Sequence, residues 1–463
     1  MLRSALFDRA LSFSYRSILC VRPRTRCRAY LLRRPPTVCD YSSSASPPPT
    51  SAYVHLPFCR KRCYYCDFPI VALGSSALPD ADPRVSSYGR LLLRDIAATE
   101  PPVSDSDEHP PLQTVFFGGG TPSLVPPTLI SSILDALSVK FSFCESPEVS
   151  IEMDPGTFDK EQLAQLLELG VNRVSLGVQA FQEELLNACG RAHGLKEVYE
   201  AIEMVTSCPG LQNWSMDLIS SLPHQTRDMW EESLRCAIRA RPTHLSIYDL
   251  QIEQGTKFGQ LYSPGEFPLP TESQSAQFYK IASQMLSEAG YNHYEISSYC
   301  LDGYECKHNL TYWLNRSFYG FGLGSASYIN GMRFSRPRRL REYTEWVQKL
   351  EEGTKHHDFQ VDTKDMAMDV VMLSLRTARG LDLRSFARSF GRRLAHSLCE
   401  ALRQYVESGH VIAMDDDRNL LTYHEFELKT REEDGVAFIR LSDPDGFLLS
   451  NELISIAFGI ISP

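Results

Sequence analysis

The architecture turns on residues 52–66, Ala52-Tyr53-Val54-His55-Leu56-Pro57-Phe58-Cys59-Arg60-Lys61-Arg62-Cys63-Tyr64-Tyr65-Cys66. Residues 52–55 have the apolar, β-branched character of a strand, and Pro57 introduces a loop that holds three cysteines. Five more strand-like runs follow, at Thr114–Phe117, Val149–Glu152, Arg173–Gly177, Asn213–Ile219 and His244–Tyr248. Between and after them lie helical patterns near Arg84–Ala98, Pro126–Ser138, Lys160–Leu169, Leu195–Thr206, Thr226–Ile238 and Ser273–Ala289. Strands alternating with amphipathic helices predict an α/β fold around a parallel sheet. Six such units make a partial (β/α)6 barrel, short of the eight that close a full one.

Working outward, the Pro- and acid-rich segment Glu100–Pro111 reads as a surface insertion. Beyond Tyr291 the βα rhythm stops. Helices are expected near Asp365–Thr377 and Leu394–Ser408, then a short β pair including Phe438–Leu441, and a final helix over Gly446–Ile456. The expected organisation is a barrel core over 51–300 and a C-terminal region over 301–463, ending in a smaller helical, winged-helix-like module. Residues 1–50 carry nine Arg, no Lys and two Asp, a charge of +7. The whole chain is at −10, so the remainder stands at −10 − 7 = −17. An Arg- and Ser-rich, acid-poor start has the composition of an organelle transit segment, here expected to be disordered and addressed to the mitochondrion, with a plastid as the alternative.

A remainder this acidic argues against nucleic acid as the main partner, since phosphate recognition draws on dense Lys and Arg surfaces. No apolar run approaches the roughly 18 residues of a membrane span. Thirteen cysteines without regular spacing suit reduced thiols with metal or catalytic uses better than disulfides.

Cys59, Cys63 and Cys66 have a spacing at which three thiolates can wrap one face of a cubane iron–sulfur cluster and leave the fourth iron for a small chelating ligand. A zinc site completed by His55, or three structural cysteines, satisfies the same spacing. Two observations favour the cluster. The loop follows a strand at the mouth of a βα barrel, where ligand sites collect. Arg60, Lys61 and Arg62 also offset the charge of a thiolate-bound cluster. Gly118-Gly119-Gly120-Thr121 ends the second strand, and such a turn can offer N–H groups to a carboxylate, although ordinary strand-to-helix corners look alike. Glu152, Gln179 and Asp217 stand at or near the ends of the third, fourth and fifth strands, where polar side chains serve a site more often than a core.

The C-x-x-x-C-x-x-C loop resembles the signature of the radical S-adenosylmethionine superfamily. Tyr53 to Cys59, Phe117 to Ser123 and Ser175 to Phe181 are similar to blocks of its branch related to oxygen-independent coproporphyrinogen III oxidase. The resemblance implies a 4Fe-4S cluster on the three cysteines and S-adenosylmethionine contacts from Tyr53, Tyr65, Gly119, Gly120, Thr121, Glu152, Gln179, Arg191 and Asp217. It also implies reductive cleavage of the sulfonium to methionine and a 5′-deoxyadenosyl radical. The cofactors supply that chemistry, and the protein orients them.

Within the branch, the oxidase pattern continues C-x-x-x-C-x-x-C-x-C, and the place of its extra cysteine is Phe68 here. His308-Asn309-Leu310-Thr311-Tyr312-Trp313, followed by Tyr319-Gly320-Phe321-Gly322-Leu323-Gly324, resembles instead the heme chaperone HemW family. That resemblance implies a carrier of heme for delivery to hemoproteins, without coproporphyrinogen oxidase activity, with an electron donor and a second copy of the chain as further partners. The alternative is the oxidase, which decarboxylates two propionates. His308, Tyr312 and Trp313 could supply an imidazole for the iron and flat faces for the porphyrin, with a structural histidine in a packed aromatic cluster as the bland alternative and His55, His293 and His396 as competitors. Two departures from the family pattern are local. Ser221-Leu222-Pro223-His224-Gln225-Thr226 stands for G-L-P-G-Q-T, with loss of two glycines expected to stiffen the turn, and Gln254 replaces the Pro of I-E-P-G-T.

Overall fold

The computed structural model describes residues 47–74, 81–102, 109–353, 362–432 and 435–462. The expected transit segment therefore lies, except for residues 47–50, outside the described residues.

All six expected strands form. They are β1 (Ser51–Leu56), β2 (Leu112–Gly119), β3 (Phe143–Met153), β4 (Arg173–Gln179), β5 (Asn213–Ser220) and β6 (His244–Asp249). Each pairs in parallel with the next, so chain order and sheet order coincide. The hairpin β7 (Asn292–Glu295) and β8 (Ser298–Cys300) adds antiparallel strands beside β6, and β9 (Tyr319–Phe321) adds a parallel one beside β1. The order β9-β1-β2-β3-β4-β5-β6-β8-β7 leaves a nine-stranded sheet with two edges, a barrel wall that does not close.

The strands read as continuous apolar runs because both faces are covered. Ala52, Val54, Leu56, Val115, Phe117, Ile151, Val174, Leu176, Met216 and Leu245 are all fully buried. At about 1.5–3 kcal/mol for each large aliphatic or aromatic side chain removed from water, this layer dominates the stabilisation. Six expected helices appear at Pro83–Ala98, Pro127–Phe141, Lys160–Glu168, Leu195–Ser207, Arg227–Ala240 and Glu272–Glu288. Their starts follow local chemistry. Asp82 accepts from the Arg84 N–H, and Thr271 with Gln274 forms a reciprocal capping box.

The boundary expected at residue 300 falls later. The barrel's apolar core runs on to Val347, and a second core spans Ala367 to Ile461. Strand β9 binds residues 319–321 into the barrel sheet. A buried ion pair fastens the next stretch: Arg336 donates through Nε and Nη2 to both carboxylate oxygens of Asp95, at 2.7 and 2.9 Å. Tyr343 Oη and the Gly322 N–H donate to the same carboxylate. Sequence periodicity does not show this boundary, because the strand is three residues long and its partner lies far away in sequence. The second core belongs to a largely helical module built on a three-stranded antiparallel sheet, Leu381–Asp382, Phe438–Leu441 and Val411–Met414 in that order.

Candidate functional site

The cysteine loop leaves β1 and is pinned on several sides. Phe58–Cys59 pairs in parallel with Val71–Ala72, and Arg62 Nη1 donates to the carbonyls of Cys66 and Phe68 at 3.0 and 2.9 Å. The Tyr64 N–H donates to Cys189 O, while Tyr64 O accepts from the Phe258 N–H, each at 2.9 Å. Lys257 Nζ lies 3.4 Å from the centre of the Tyr64 ring. The loop thus presents its thiols from a pinned base.

Two of the sulfurs have donors. Arg191 Nη1 lies 3.4 Å from Cys63 Sγ, and Thr121 Oγ1 donates to Cys59 Sγ at 3.6 Å. Burial pushes the Cys59 thiol up to about 12, so as a bare group it keeps its proton. Deprotonation there requires positive charge of the kind a metal centre supplies. Hydrogen bonds to cluster sulfurs are also a means of tuning a cluster's potential. The donor set therefore fits an iron–sulfur cluster. Among the described residues no three His, Cys, Asp or Glu side chains gather as around one metal ion; a cubane spreads its thiolates over separate irons and needs no such convergence. The zinc alternative is weakened by His55. Its Nε2 donates to Pro69 O at 3.0 Å, its Nδ1 accepts from Tyr53 Oη at 3.2 Å, and burial lowers its pKa to about 4.

The glycine turn performs a different task from the one expected. The N–H groups of Gly119, Gly120 and Thr121 donate to Glu152 Oε2, Leu56 O and Phe58 O, at 3.0, 2.9 and 2.6 Å. They hold the cysteine loop and the Glu152 carboxylate against the end of β2, so each already has a partner within the chain. A Cβ at Gly120 would stand 2.7 Å from the Pro57 and Phe58 backbone, and one at Gly119, where φ is +110°, 2.3 Å from the His55 ring. Close packing, not an open cradle, demands these glycines.

Beyond the turn stand the strand-end side chains. Asp217 accepts from Ser175 Oγ at 3.1 Å, and burial raises its pKa. Burial, and then the nearby Asp217, push Glu152 up to about 7. Gln179 sits at φ +70°, at a register shift between β4 and β5 that turns its side chain out of the regular ladder. A non-glycine residue in this region is strained, and such strain gathers at sites. Arg191 joins the loop to the strand ends: Nη1 donates to Tyr65 Oη at 3.0 Å, and Nη2 donates to Gly177 O at 3.0 Å and to Asp154.

Asp154 and His193 escaped the sequence reading. His193 Nδ1 lies 3.4 Å from Asp154 Oδ2 with its side chain fully buried. Burial alone would raise the Asp154 pKa, but the Arg191 guanidinium and then His193 hold it below the usual carboxylate range. The available signal was position: Asp154 follows Glu152 by two residues off the same strand end.

His308 lies at the other end of the barrel. The helix Lys307–Trp313 packs under the strand starts, where Ser51 Oγ meets Thr311 Oγ1 at 2.9 Å. His308 Nδ1 is 2.7 Å from Thr114 Oγ1 and Nε2 is 2.7 Å from Tyr312 Oη. Its N–H donates to Glu148 Oε1, its ring stacks on Phe116, and 1% of the residue is exposed. Burial, then Arg173, lower its pKa to about 3. With both ring nitrogens engaged, His308 fits the structural alternative and not an iron ligand; Tyr312 is committed to it, and Trp313 is half-buried. In the loop that lost two glycines, Ser221 and His224 keep left-handed backbone at φ +60° and +65°. The turn is preserved at a conformational cost rather than reshaped, and His224 is exposed.

Residues 53–237 match the sequence pattern of the Radical SAM superfamily. The chain is 38% identical over 414 residues to the heme chaperone HemW of Synechocystis sp., covering 89% of this chain and 97% of that one. The chain belongs to the heme chaperone HemW family. Other members agree, with 33% identity to the Bacillus subtilis heme chaperone HemW, covering 78% and 92% of the two chains. Radical S-adenosyl methionine domain-containing protein 1, mitochondrial, from Danio rerio is 27% identical, covering 72% and 73%. Among solved structures, coproporphyrinogen III oxidase (HemN) from Escherichia coli superposes with a TM-score of 0.69 at 20% identity, covering 90% and 91%. It shares the radical SAM α/β fold. Membership of the HemW family within this superfamily implies a 4Fe-4S cluster and S-adenosylmethionine as cofactors. No helix among the described residues is long and apolar enough to cross a membrane.

Proposed function

We propose that the chain binds heme and transfers it to hemoproteins, as a carrier that also holds a 4Fe-4S cluster on Cys59, Cys63 and Cys66. The observation that carries this reading is the similarity to HemW over nearly the whole length of the Synechocystis protein. Phe68, exposed where the oxidase pattern has its extra cysteine, supports it. Recipient hemoproteins and an electron donor are the partners this reading requires. The mitochondrion is its compartment, from the Arg-rich start and the name of the zebrafish relative.

When bound, the cluster and S-adenosylmethionine supply one-electron chemistry at the sulfonium. The chain's own residues prepare the place. Arg191 sets its charge beside Cys63 and Tyr65, held there by Asp154. Glu152 and Asp217 offer carboxylates to the cationic amino-acid end, and a cation between them would relieve the repulsion that raises Glu152. Tyr53 and Gln179 complete the proposed contacts.

The test is anaerobic reconstitution of the chain, titration with heme, and a parallel assay of coproporphyrinogen decarboxylation with S-adenosylmethionine and a reductant. Stoichiometric heme binding without decarboxylation is expected. Turnover to protoporphyrinogen with no stable heme complex would overturn the carrier reading in favour of the oxidase.

A further inference from the structure

His55 and Asp67 bracket the cysteine loop, and both are held by a strap from much later in the chain. The strap runs from β9 (Tyr319–Phe321) through the hairpin Ala326–Ile329 and Met332–Ser335 to Arg338. At the first end of the loop, Tyr88 Oη donates to His55 O at 2.7 Å and accepts from the Leu323 N–H at 3.0 Å. At the second, Arg338 Nη2 donates to Asp67 O.

A left-handed turn lets the strap come this near. Gly322 and Gly324 have φ of +93° and +69°. A Cβ at Gly322 would stand 2.5 Å from Tyr88 Oη and 2.7 Å from His55 O, and one at Gly324 would stand 2.7 Å from the Pro69 ring. Pro69 O in turn accepts from His55 Nε2 at 3.0 Å. On its far side the turn is fixed by the Gly324 N–H to Pro337 O at 2.9 Å and the Arg336 N–H to Ser325 O at 2.8 Å. The buried Asp95 carboxylate accepts from the Gly322 N–H and from Arg336.

Burial explains the Asp95 cluster, but it does not explain Arg338. That residue is exposed, and a loop carbonyl at the surface can be left to water. Ordering a long side chain onto it costs up to about 2 kcal/mol of conformational entropy. The guanidinium also brings its charge close enough to act on His55.

We propose that the strap is a positioning element for the iron–sulfur cluster, with Tyr88 and Arg338 as its positioning residues. By holding the carbonyls at the two ends of the loop, they fix the directions of the Cys59, Cys63 and Cys66 thiolates. The inference rests on the cluster reading above and extends the site to residues of the C-terminal region. Groups that orient metal ligands are commonly worth about 10–100-fold in metal affinity. A cation beside the loop favours the more negative, reduced cluster, so Arg338 raises its potential. Arg333 of the hairpin pairs with Asp369 of the helix Thr363–Leu375 at 3.0 Å, which ties the same strap to the second core.

The experiment uses the full chain, reconstituted anaerobically, as wild type, Tyr88→Phe, Arg338→Met and Arg338→Lys. A ferrous-iron chelator is added and the decay of the cluster absorbance is timed; a redox titration of the same samples gives the potential. Unfolding of the metal-free chains separates lost fold from lost positioning. Release is expected to be at least about tenfold faster in Tyr88→Phe and Arg338→Met. At the potential that half-reduces the wild type, the ratio of reduced to oxidised cluster in Arg338→Met should fall about threefold, with Arg338→Lys near the wild type in both measurements. The metal-free Arg338 variants should unfold as the wild type does, since the side chain is exposed. Wild-type release rates and potential in folded Tyr88→Phe and Arg338→Met would overturn the inference and leave the cluster reading intact. Release that rises only in step with a loss of metal-free stability would reduce the strap to packing and overturn it equally. A wild type that assembles no cluster would overturn the cluster reading, and the inference with it.

Discussion

The two ends of the parallel sheet carry the two most conspicuous motifs of the chain, and the fold treats them in opposite ways. At the C-terminal ends of the strands, Cys59, Cys63 and Cys66 lie on a pinned loop beside Glu152, Asp217 and Arg191, whose charges oppose and relieve one another without cancelling. At the N-terminal ends, His308, Tyr312 and Thr311 are tied to Thr114 and Ser51, with each ring nitrogen of the histidine occupied. Thr114 and Gly119 stand five residues apart on β2, roughly 16 Å at the rise of a strand. One end therefore keeps buried charge that the chain does not neutralise, and the other spends its polar groups on closing the barrel. In α/β barrels generally, sites gather at the first kind of end and stability determinants at the second.

The largest test of this contrast is Cys63→Ala. Removing one of three thiolates is expected to abolish the cluster, read as loss of its visible absorbance and of bound iron and sulfide after reconstitution, while heat stability of the metal-free chain changes little. A variant that retained a full cluster would remove the loop from its proposed role. His308→Phe should do the reverse. Leaving the Thr114 and Tyr312 hydroxyls without partners costs about 2–5 kcal/mol of unfolding free energy, while the cluster still assembles. If a folded His308→Phe chain instead lost heme binding with unchanged stability, the contrast between the two ends would break.

The smallest effect concerns pH. The folded pKa of Glu152, about 7, lies above its unfolded value of 4.5, so the folded state binds the extra proton. The group's unfavourable contribution is absent below pH 4.5, grows as pH rises and is complete above about 7. Asp217 faces it, with Tyr53, Tyr248 and Tyr312 nearby. Glu152→Gln should therefore make the metal-free chain more stable than the wild type above pH 7, on the order of 1–3 kcal/mol, with the difference vanishing near pH 4.5. Chemical denaturation at a series of pH values measures it. Equal pH profiles would show that Glu152 ionises as freely as in water.

Much of the barrel was legible because its signals are local. Six apolar runs, each bounded by turns, became β1 to β6, and helix starts at Asp82 and Thr271 followed from capping chemistry. Strand β9, the Asp95–Arg336 pair and the core running to Val347 were not legible, since they depend on partners hundreds of residues away. Asp154 gave no sign of its role, because a single carboxylate acquires one only when Arg191 and His193 arrive beside it.

The sequence alone thus determined the α/β class, the six-stranded order and the family, for these follow from periodicity, turn residues and motif spacing along the chain. Tertiary structure alone decided which polar groups are spent and which remain available. Gly119 and Gly120 admit neighbouring backbone and side chains instead of a ligand, and His308 is consumed by Thr114 and Tyr312. The reason is physical: a residue's donors and acceptors are the same in any sequence, but whether they are already satisfied depends on what the fold places within about 3 Å of them.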